Sequence, residues 1–226
     1  MDLRVISLFE DLTASELARV ERLCSIRSFA KQEEIYGERE TTTDIFFILA
    51  GAVRVTSFAE SGREVIFSEV PAGGIFGEFS AIDKLPRSAT IVAVSDCKLA
   101  RMPAAAFFNL LRENNGVCVH LVELLVGKIR DMSERVFELS ALAVRERLRR
   151  ELVRLATTRG RKEGPGITII PAPTHQVFAA RIGSHREAVT REFSRLEDEK
   201  VLEVGWLSGR RWIRIIDVQR LKAFDE

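Results

Sequence analysis

The chain has 226 residues, of which 46% are hydrophobic and 30% are charged. This is an ordinary globular composition, and it excludes an extended disordered chain, a collagen-like repeat and a disulfide-rich scaffold. No apolar run reaches the roughly 18 residues that a membrane span requires, and the first residues do not have the pattern of a signal peptide. We therefore expect a cytoplasmic protein, of one large or two small domains, that has no membrane partner.

The cysteines and histidines are scattered along the sequence. There are three of each, and the cysteines form no CxxC pair. A zinc site or an iron–sulfur cluster needs clustered thiolates or imidazoles. The sequence also contains no Ser/His/Asp or paired-carboxylate pattern that stands out as catalytic. We predict that the protein holds no metal, has no catalytic residues and is not an enzyme.

Charge is distributed unevenly along the sequence. Residues 1–140 hold 16 basic and 21 acidic side chains, a net charge of −5, whereas residues 141–226 hold 18 and 12, a net charge of +6. A basic C-terminal third favours a polyanion as the partner of that part of the chain. An uneven scatter of surface charge is the alternative explanation.

Residues 29–102 have the pattern of short strands separated by turns. A hairpin loop is predicted at 60–62, a glycine-rich stretch follows at 73–77, and apolar residues alternate from Thr90 to Val94. Several short strands at close spacing are typical of a small antiparallel roll or barrel.

From Pro103 to about Leu139 the sequence has helical periodicity. Apolar residues recur at alternating spacings of four and three, the pattern of two helices that lie side by side. This apolar seam consists of Cys118, Val122, Leu125, Ile129, Met132, Val136 and Leu139. We predict a parallel homodimer through this helix; the alternative is a helix that packs only against its own roll.

The C-terminal part has the element order of a winged helix. A helix over 144–158 is followed by a loop at 160–166 and a short strand at 167–171. Two helical stretches divided at 183–184 come next, and then two strands around a turn at 208–209. The spacing of a helix-turn-helix is present at Ala179, Gly183 and Val189.

The first two turns of the second helix of such a motif enter the major groove of DNA. Arginine binds guanine O6 and N7, and glutamate accepts from cytosine N4. The candidate base contacts are Arg186, Glu187, Thr190 and Arg191. Ser184 and Glu187 also match a capping box that would start this helix at His185 and would occupy the glutamate. The other candidate contacts are Thr174, as the N-cap of the first helix, His175, His185 and, at the wing tip, Arg210 and Arg211.

A second candidate site lies in the glycine-rich stretch. Backbone amides, an arginine and a hydroxyl form a phosphate cradle, and a carboxylate suits a sugar hydroxyl. These groups are present at Gly77, Glu78, Arg87 and Ser88. The residues fit a site for an anion and a ribose, or a glycine-rich turn with a surface ion pair.

Over nearly its full length the chain resembles the cAMP receptor protein and FNR superfamily of bacterial transcription regulators. The stretch FGEFSAIDKLPRSATIVA is similar to the phosphate-binding cassette of that family, and SHREAVTR is similar to its recognition helix. The resemblance implies that Glu78 binds the ribose 2′-hydroxyl and that Arg87, Ser88 and the Gly77 amide hold a cyclic phosphate. Phe79 lies in the same cassette.

The resemblance also implies that Arg186, Glu187 and Arg191 read a TGTGA-like palindrome. On the long helix, Met132 and Ser133 stand where the cAMP receptor protein has a Thr-Ser pair facing the base. The serine matches and the threonine does not, so the resemblance implies cAMP as the effector, with cGMP as the alternative.

We therefore expect an α+β chain with three parts: an antiparallel β-roll that binds a cyclic nucleotide (1–112), a dimerisation helix (113–141) and a winged helix-turn-helix (142–226). The predicted function is that of an allosteric, homodimeric, DNA-binding regulator whose further implied partner is RNA polymerase. The alternative is a regulator of the same fold that needs no ligand or senses another small molecule.

Overall fold

The computed structural model describes residues 2–164 and 166–222. The chain divides into two compact units, the first ending at Arg130 and the second beginning at Asp131. The helices, in chain order, are α1 (Ala14–Arg22), α2 (Glu78–Asp83), α3 (Ala104–Glu113), α4 (Asn115–Ala141), α5 (Val144–Arg159), α6 (His175–Arg181), α7 (Arg186–Asp198) and α8 (Val218–Lys222). Two short 3-10 turns, Leu3–Val5 and Ser7–Phe9, precede α1.

The strands occur in groups between these helices, and the longest group runs from β1 to β6. In chain order they are β1 (Ser25–Phe29), β2 (Glu34–Tyr36), β3 (Ile45–Ala50), β4 (Ala52–Phe58), β5 (Glu64–Pro71), β6 (Ile75–Phe76), β7 (Thr90–Ala93), β8 (Cys97–Met102), β9 (Arg161–Glu163), β10 (Gly166–Ile169), β11 (Leu202–Leu207) and β12 (Arg210–Ile215). The predicted α+β class, with an antiparallel roll, a long helix and a C-terminal winged helix-turn-helix, is confirmed.

The first unit contains two four-stranded antiparallel sheets. Their strand orders are β1-β8-β3-β6 and β2-β7-β4-β5. Apolar side chains from both sheets share one core, in which Ile48 of β3 and Leu99 of β8 are fully buried beside Val53 of β4. The predicted hairpin at 60–62 joins β4 to β5. The roll begins at Ser25, before the predicted start.

The predicted helical run after Pro103 is not continuous. It is divided at Asn114, whose backbone is extended and whose side-chain Oδ1 accepts from the Val117 N–H at 3.1 Å. A side-chain oxygen at this position satisfies one of the backbone donors that a helix start leaves without a partner. The asparagine therefore ends α3 and starts α4.

The second unit is built on a small antiparallel sheet with strand order β11-β12-β10-β9. Helices α5, α6 and α7 share with it a core that includes Leu152, Phe178 and Ile213. The expectation of a loop at 160–166 is wrong in part, because Arg161–Glu163 forms β9 and pairs with β10. A hydrogen bond of 2.8 Å from Thr168 Oγ1 to Glu163 Oε2 holds this pairing.

None of the helices within residues 2–164 and 166–222 combines the length and the apolar character that a bilayer crossing requires.

Candidate functional site

The glycine-rich loop has a geometry that only glycine fits. Gly77 follows β6, precedes α2 and has a φ of +85°. A Cβ at this position would lie 2.8 Å from Arg87 Nη1 and 2.8 Å from the carbonyl oxygen of Asp44. Both the left-handed backbone and the close approach of two polar groups therefore require a residue without a side chain.

Arg87 lies under this loop, with 3% of its surface exposed. Its guanidinium donates to Thr42 Oγ1 at 3.1 Å, to the Gly77 carbonyl at 3.1 Å and to the Asp44 carbonyl at 2.8 Å. On one side, its Cζ lies 4.0 Å from the centre of the Tyr36 ring. All of these partners are neutral, and among the described residues no carboxylate forms an ion pair with Arg87.

The charge of Arg87 is consequently buried without a directly bound carboxylate, although the carboxylates of Asp44, Glu40 and Glu78 act on it from a longer distance. The carboxylate of Asp44 pairs instead with Arg101, at 2.7 Å. Burial lowers the pKa of the Arg87 guanidinium, but an arginine keeps its proton in proteins. Because a buried charge is costly until it is paired, this position favours the binding of an anion.

Glu78 follows Gly77 and is the first residue of α2, and it is 3% exposed. Its Oε1 accepts from Lys128 Nζ at 2.6 Å. Lys128 lies on α4, and the same ammonium is 5.9 Å from the centre of the Phe79 ring. Sequence reasoning did not find Lys128, since it lies 50 residues from Glu78. The only signal was its place one residue before Ile129 of the apolar seam.

The structure thus brings four of the predicted ligand-binding residues together, namely Gly77, Glu78, Phe79 and Arg87. Ser88 follows Arg87 and its side chain is exposed, as is that of Phe79. Met132 and Ser133 belong to the second compact unit, and their contact with a base stays a prediction.

The helix-turn-helix is formed by α6 and α7. The prediction that Thr174 is the N-cap of α6 is confirmed, because its Oγ1 accepts from the Val177 N–H at 3.3 Å. Gly183 takes the turn with a φ of +61°. Val189 is fully buried on the inner face of α7, as the spacing predicts.

The predicted capping box at the start of α7 is wrong. The helix begins at Arg186 rather than at His185, and its N-cap is His185, whose side chain makes no capping hydrogen bond. The buried Ser184 belongs to the turn, where its N–H donates to the Ala179 carbonyl at 2.9 Å. Glu187 is therefore not used as a cap, and its side chain is exposed.

The outer face of α7 is polar and exposed. This face carries Arg186, Glu187, Thr190 and Arg191. His185, before the helix, and Arg210, beside the wing turn, are exposed as well. Ser208 and Gly209 form this turn with φ values of 49° and 73°, the left-handed pair that a two-residue hairpin requires.

His175 differs from the other predicted DNA contacts because it is half-buried and both of its ring nitrogens have protein partners. Nδ1 lies 2.9 Å from Thr190 Oγ1, and Nε2 lies 2.8 Å from Arg211 Nη2. A phosphate contact by His175 stays a prediction, and it would require one of these hydrogen bonds to break.

Within the described parts of the chain, no three histidine, cysteine or acidic side chains are grouped so as to hold a metal ion.

Comparisons with known proteins agree with this architecture. The profile described as "Cyclic nucleotide-binding domain" matches residues 26–114, and the one described as "Crp-like helix-turn-helix domain" matches residues 146–224. Helices α2 and α7 fall within the first and the second match, respectively.

Similar proteins include the "CRP-like cAMP-activated global transcriptional regulator" of Mycobacterium tuberculosis (strain ATCC 25618 / H37Rv). It is 22% identical over 203 residues, which are 86% of this chain and 91% of that protein. The "cAMP-activated global transcriptional regulator CRP" of Pasteurella multocida (strain Pm70) is 27% identical over 180 residues, which are 79% of this chain and 86% of that protein.

The fold is also that of a solved CooA mutant from Carboxydothermus hydrogenoformans. The TM-score is 0.77 and the identity 22%, with 94% of this chain and 95% of the other covered. With a cyclic nucleotide-binding domain and a Crp-like helix-turn-helix domain present in this order, the chain belongs to the cAMP receptor protein and FNR family, and it is a transcription regulator rather than an enzyme.

Proposed function

We propose that the effector of this regulator is cAMP or cGMP, bound at the loop that precedes α2. The observation that carries this proposal is the buried guanidinium of Arg87, which has only neutral partners. A cyclic phosphate places a negative charge in direct contact with this guanidinium and accepts from Arg87, from the Ser88 hydroxyl and from the Gly77 amide. Glu78 accepts from the ribose 2′-hydroxyl, and Phe79 lies beside the ligand.

The base of the nucleotide extends toward α4, where Ser133 donates to or accepts from it. Met132, in place of a hydroxyl-bearing residue, offers only an apolar contact and a weakly accepting sulfur. Discrimination between adenine and guanine therefore depends on Ser133. Along the chain, the proposed parts are 1–112 for nucleotide binding, 113–141 for dimerisation and 142–226 for DNA binding.

We further propose that two copies of the chain associate in parallel through the apolar seam of α4. Val122, Ile129, Met132, Val136 and Leu139 are each between 51 and 63% exposed in the single chain. The other two seam residues, Cys118 and Leu125, are half-buried, and Leu125 packs against the core of its own roll. The five exposed apolar side chains are costly in water and are typical of a coiled-coil interface. The second copy is the partner that its heptad spacing fits.

The dimer places two α7 helices against successive half-sites of one DNA duplex. Arg186 and Arg191 bind guanines and Glu187 accepts from a cytosine, so that each half-site is TGTGA-like. Thr174, His185 and Arg210 lie against the DNA backbone. The protein acts in the cytoplasm, where RNA polymerase is its further partner.

The coupling between the two sites runs along α4. Lys128 binds Glu78 in the structure, and a ribose hydroxyl at Glu78 competes with this ion pair. Since Lys128 and the seam belong to one continuous helix, ligand binding changes the packing of that helix and, through residues 139–144, the spacing of the two α7 helices. The ligand acts only through its different affinities for the two arrangements.

Isothermal titration calorimetry of the full chain with cAMP and with cGMP, in separate experiments, tests this proposal. We expect at least one nucleotide to bind the wild type with measurable heat. Arg87→Gln should lose this binding, and Ser88→Ala should bind with about fivefold lower affinity. Binding of cAMP alone assigns the adenine contact to Ser133, and comparable binding of cGMP shows a base pocket relaxed by Met132. No binding of either nucleotide contradicts the proposal and favours a regulator that needs no ligand or senses another molecule.

A further inference from the structure

The wing and the recognition helix are joined by polar contacts that pass through His175. Arg211 lies on β12, beside the wing turn, and its Nη2 is 2.8 Å from His175 Nε2. Its Nη1 donates to the carbonyl oxygen of Pro173, and its Cζ lies 5.3 Å from the centre of the Phe193 ring on α7. Arg211, for which the sequence suggests a phosphate contact, is thus held against α6 and α7 rather than extended into solvent.

The partner of His175 Nε2 determines where the imidazole carries its proton. A guanidinium has only donors, so Nε2 accepts from Arg211. Burial lowers the pKa of His175 from its ordinary value of 6.5, and the positive charges of Arg211 and Arg186 lower it further. The ring is therefore neutral near pH 7 and has its proton on Nδ1, which donates to Thr190 Oγ1 at 2.9 Å.

The hydroxyl of Thr190 is oriented in turn. Its own proton is donated to the carbonyl oxygen of Arg186, 2.9 Å away and one helical turn earlier. A hydroxyl has one proton and two lone pairs. The Thr190 hydroxyl donates its proton to the Arg186 carbonyl and uses one lone pair to accept from His175. Its second lone pair remains available on the exposed face of α7. Toward a group that approaches from solvent, Thr190 is an acceptor.

We propose that Arg211 and His175 are positioning residues that fix Thr190 as a hydrogen-bond acceptor for an exocyclic amino group of adenine or cytosine. Adenine N6 and cytosine N4 are the amino donors that the major groove presents. Arg211 and His175 then influence the base preference of the protein without touching DNA. This inference rests on the proposed function, because Thr190 meets a base only if α7 reads the groove.

The test measures the affinity of the full-length protein for a TGTGA-like palindrome in which each base pair is exchanged in turn. Thr190→Val, which keeps the shape and removes the hydroxyl, is expected to lose about fivefold preference at one base pair. Arg211→Met is expected to lose preference at that same base pair, and the double variant to lose no more than Thr190→Val alone. Arg210→Met, the matched control on the wing, is expected to weaken binding equally on every sequence.

Two results would overturn the proposal and leave the proposed function standing. One is an Arg211→Met effect that is equal on all sequences and makes the salt dependence shallower, because Arg211 would then be a phosphate contact and the DNA-binding function would stand. The other is an Nε2–H tautomer of His175 in ¹⁵N–¹H spectra of the histidine side chains near pH 7.5, where the Nδ1–H form is expected. The spectra use the wild-type protein and decide the matter even if an Arg211 variant does not fold. A wild-type protein without sequence preference would overturn both this inference and the proposed function.

Discussion

The ammonium group of Lys128 lies 2.6 Å from Oε1 of Glu78 and connects the long helix to the loop that precedes α2. Glu78 is the less exposed partner, with 4% of its side chain accessible against 33% for Lys128. A carboxylate buried to this degree needs a cation or strong donors. The ion pair therefore supplies in the free protein what the sugar hydroxyl would supply, in part, in the proposed nucleotide complex.

Lys128→Met is expected to lower the free energy of unfolding by about 1–3 kcal/mol, because it leaves the Glu78 carboxylate desolvated and without its cation. Urea denaturation measures the loss. In a double-mutant cycle with Glu78→Gln, the double variant should lose clearly less free energy of unfolding than the sum of the losses of the two single variants. Lys98→Met, which removes an exposed lysine of β8, serves as the control. Equal losses for Lys98→Met and Lys128→Met would show that the ion pair does not stabilise the fold.

Gly77 and Gly62 provide a matched pair for the steric demand of the loop. Both have positive φ, +85° and +77°, but a Cβ at Gly62 would meet no atom within 4 Å. Gly62→Ala should therefore cost only the backbone strain, about 1 kcal/mol. Gly77→Ala should cost at least twice as much and weaken nucleotide binding, since its methyl group displaces Arg87. Equal costs in thermal denaturation would contradict this explanation of the glycine.

A single charged substitution tests whether the apolar seam of α4 is the dimer interface. Val136→Glu places a carboxylate in the proposed interface, where an unpaired buried charge costs about 3–5 kcal/mol. Size-exclusion chromatography with light scattering should show a mass twice that of the 25.5-kDa chain for the wild type and the mass of one chain for this variant. Phe137→Glu, one residue off the seam and 55% exposed, should remain dimeric. If Val136→Glu has the same mass as the wild type, the dimer forms elsewhere or not at all.

Two glutamates near helix starts distinguish a capping role from a DNA-binding role. Glu146 Oε2 accepts from the Ala143 N–H at 2.7 Å at the start of α5, so Glu146→Ala should lower stability by about 1 kcal/mol. Glu187 makes no such bond, and Glu187→Ala should change stability by less than about 0.5 kcal/mol while altering the preferred bases of the half-site. A loss of stability with unchanged base preference in Glu187→Ala would support the capping box and contradict the structure.

The order of the elements was predictable from the sequence because it depends on local signals. The hairpin at 60–62, the turn at 183–184 and the wing turn at 208–209 follow from residues close in sequence to the elements they join. The errors at helix ends have a local cause too. Asn114 starts α4 through a side-chain hydrogen bond, and His185 precedes α7 with an extended backbone and no side-chain cap, although the neighbouring Ser184 is an equally plausible cap in the sequence.

The candidate site was predictable only in part. Gly77, Glu78 and Arg87 were found because they lie within one short stretch of sequence. The groups that complete the site come from distant parts of the chain: Tyr36, Thr42, Asp44 and Lys128. Their approach depends on the packing of sheets and helices, for which a single sequence carries no spacing rule. The contact between His175 and Arg211 was missed for the same reason.

In the proposed function, a cyclic nucleotide held by Arg87 controls DNA binding. The most direct test of this control is the affinity of the wild type and of Arg87→Gln for a fluorescent TGTGA-like palindrome, measured by anisotropy with and without saturating cAMP or cGMP. The wild type should bind at least tenfold more tightly with one of the nucleotides, which corresponds to about 1.4 kcal/mol of coupling. Arg87→Gln should keep the weak, nonspecific binding and gain nothing from either nucleotide. An affinity of the wild type that neither nucleotide changes, or an Arg87→Gln variant that responds fully, would contradict the claim.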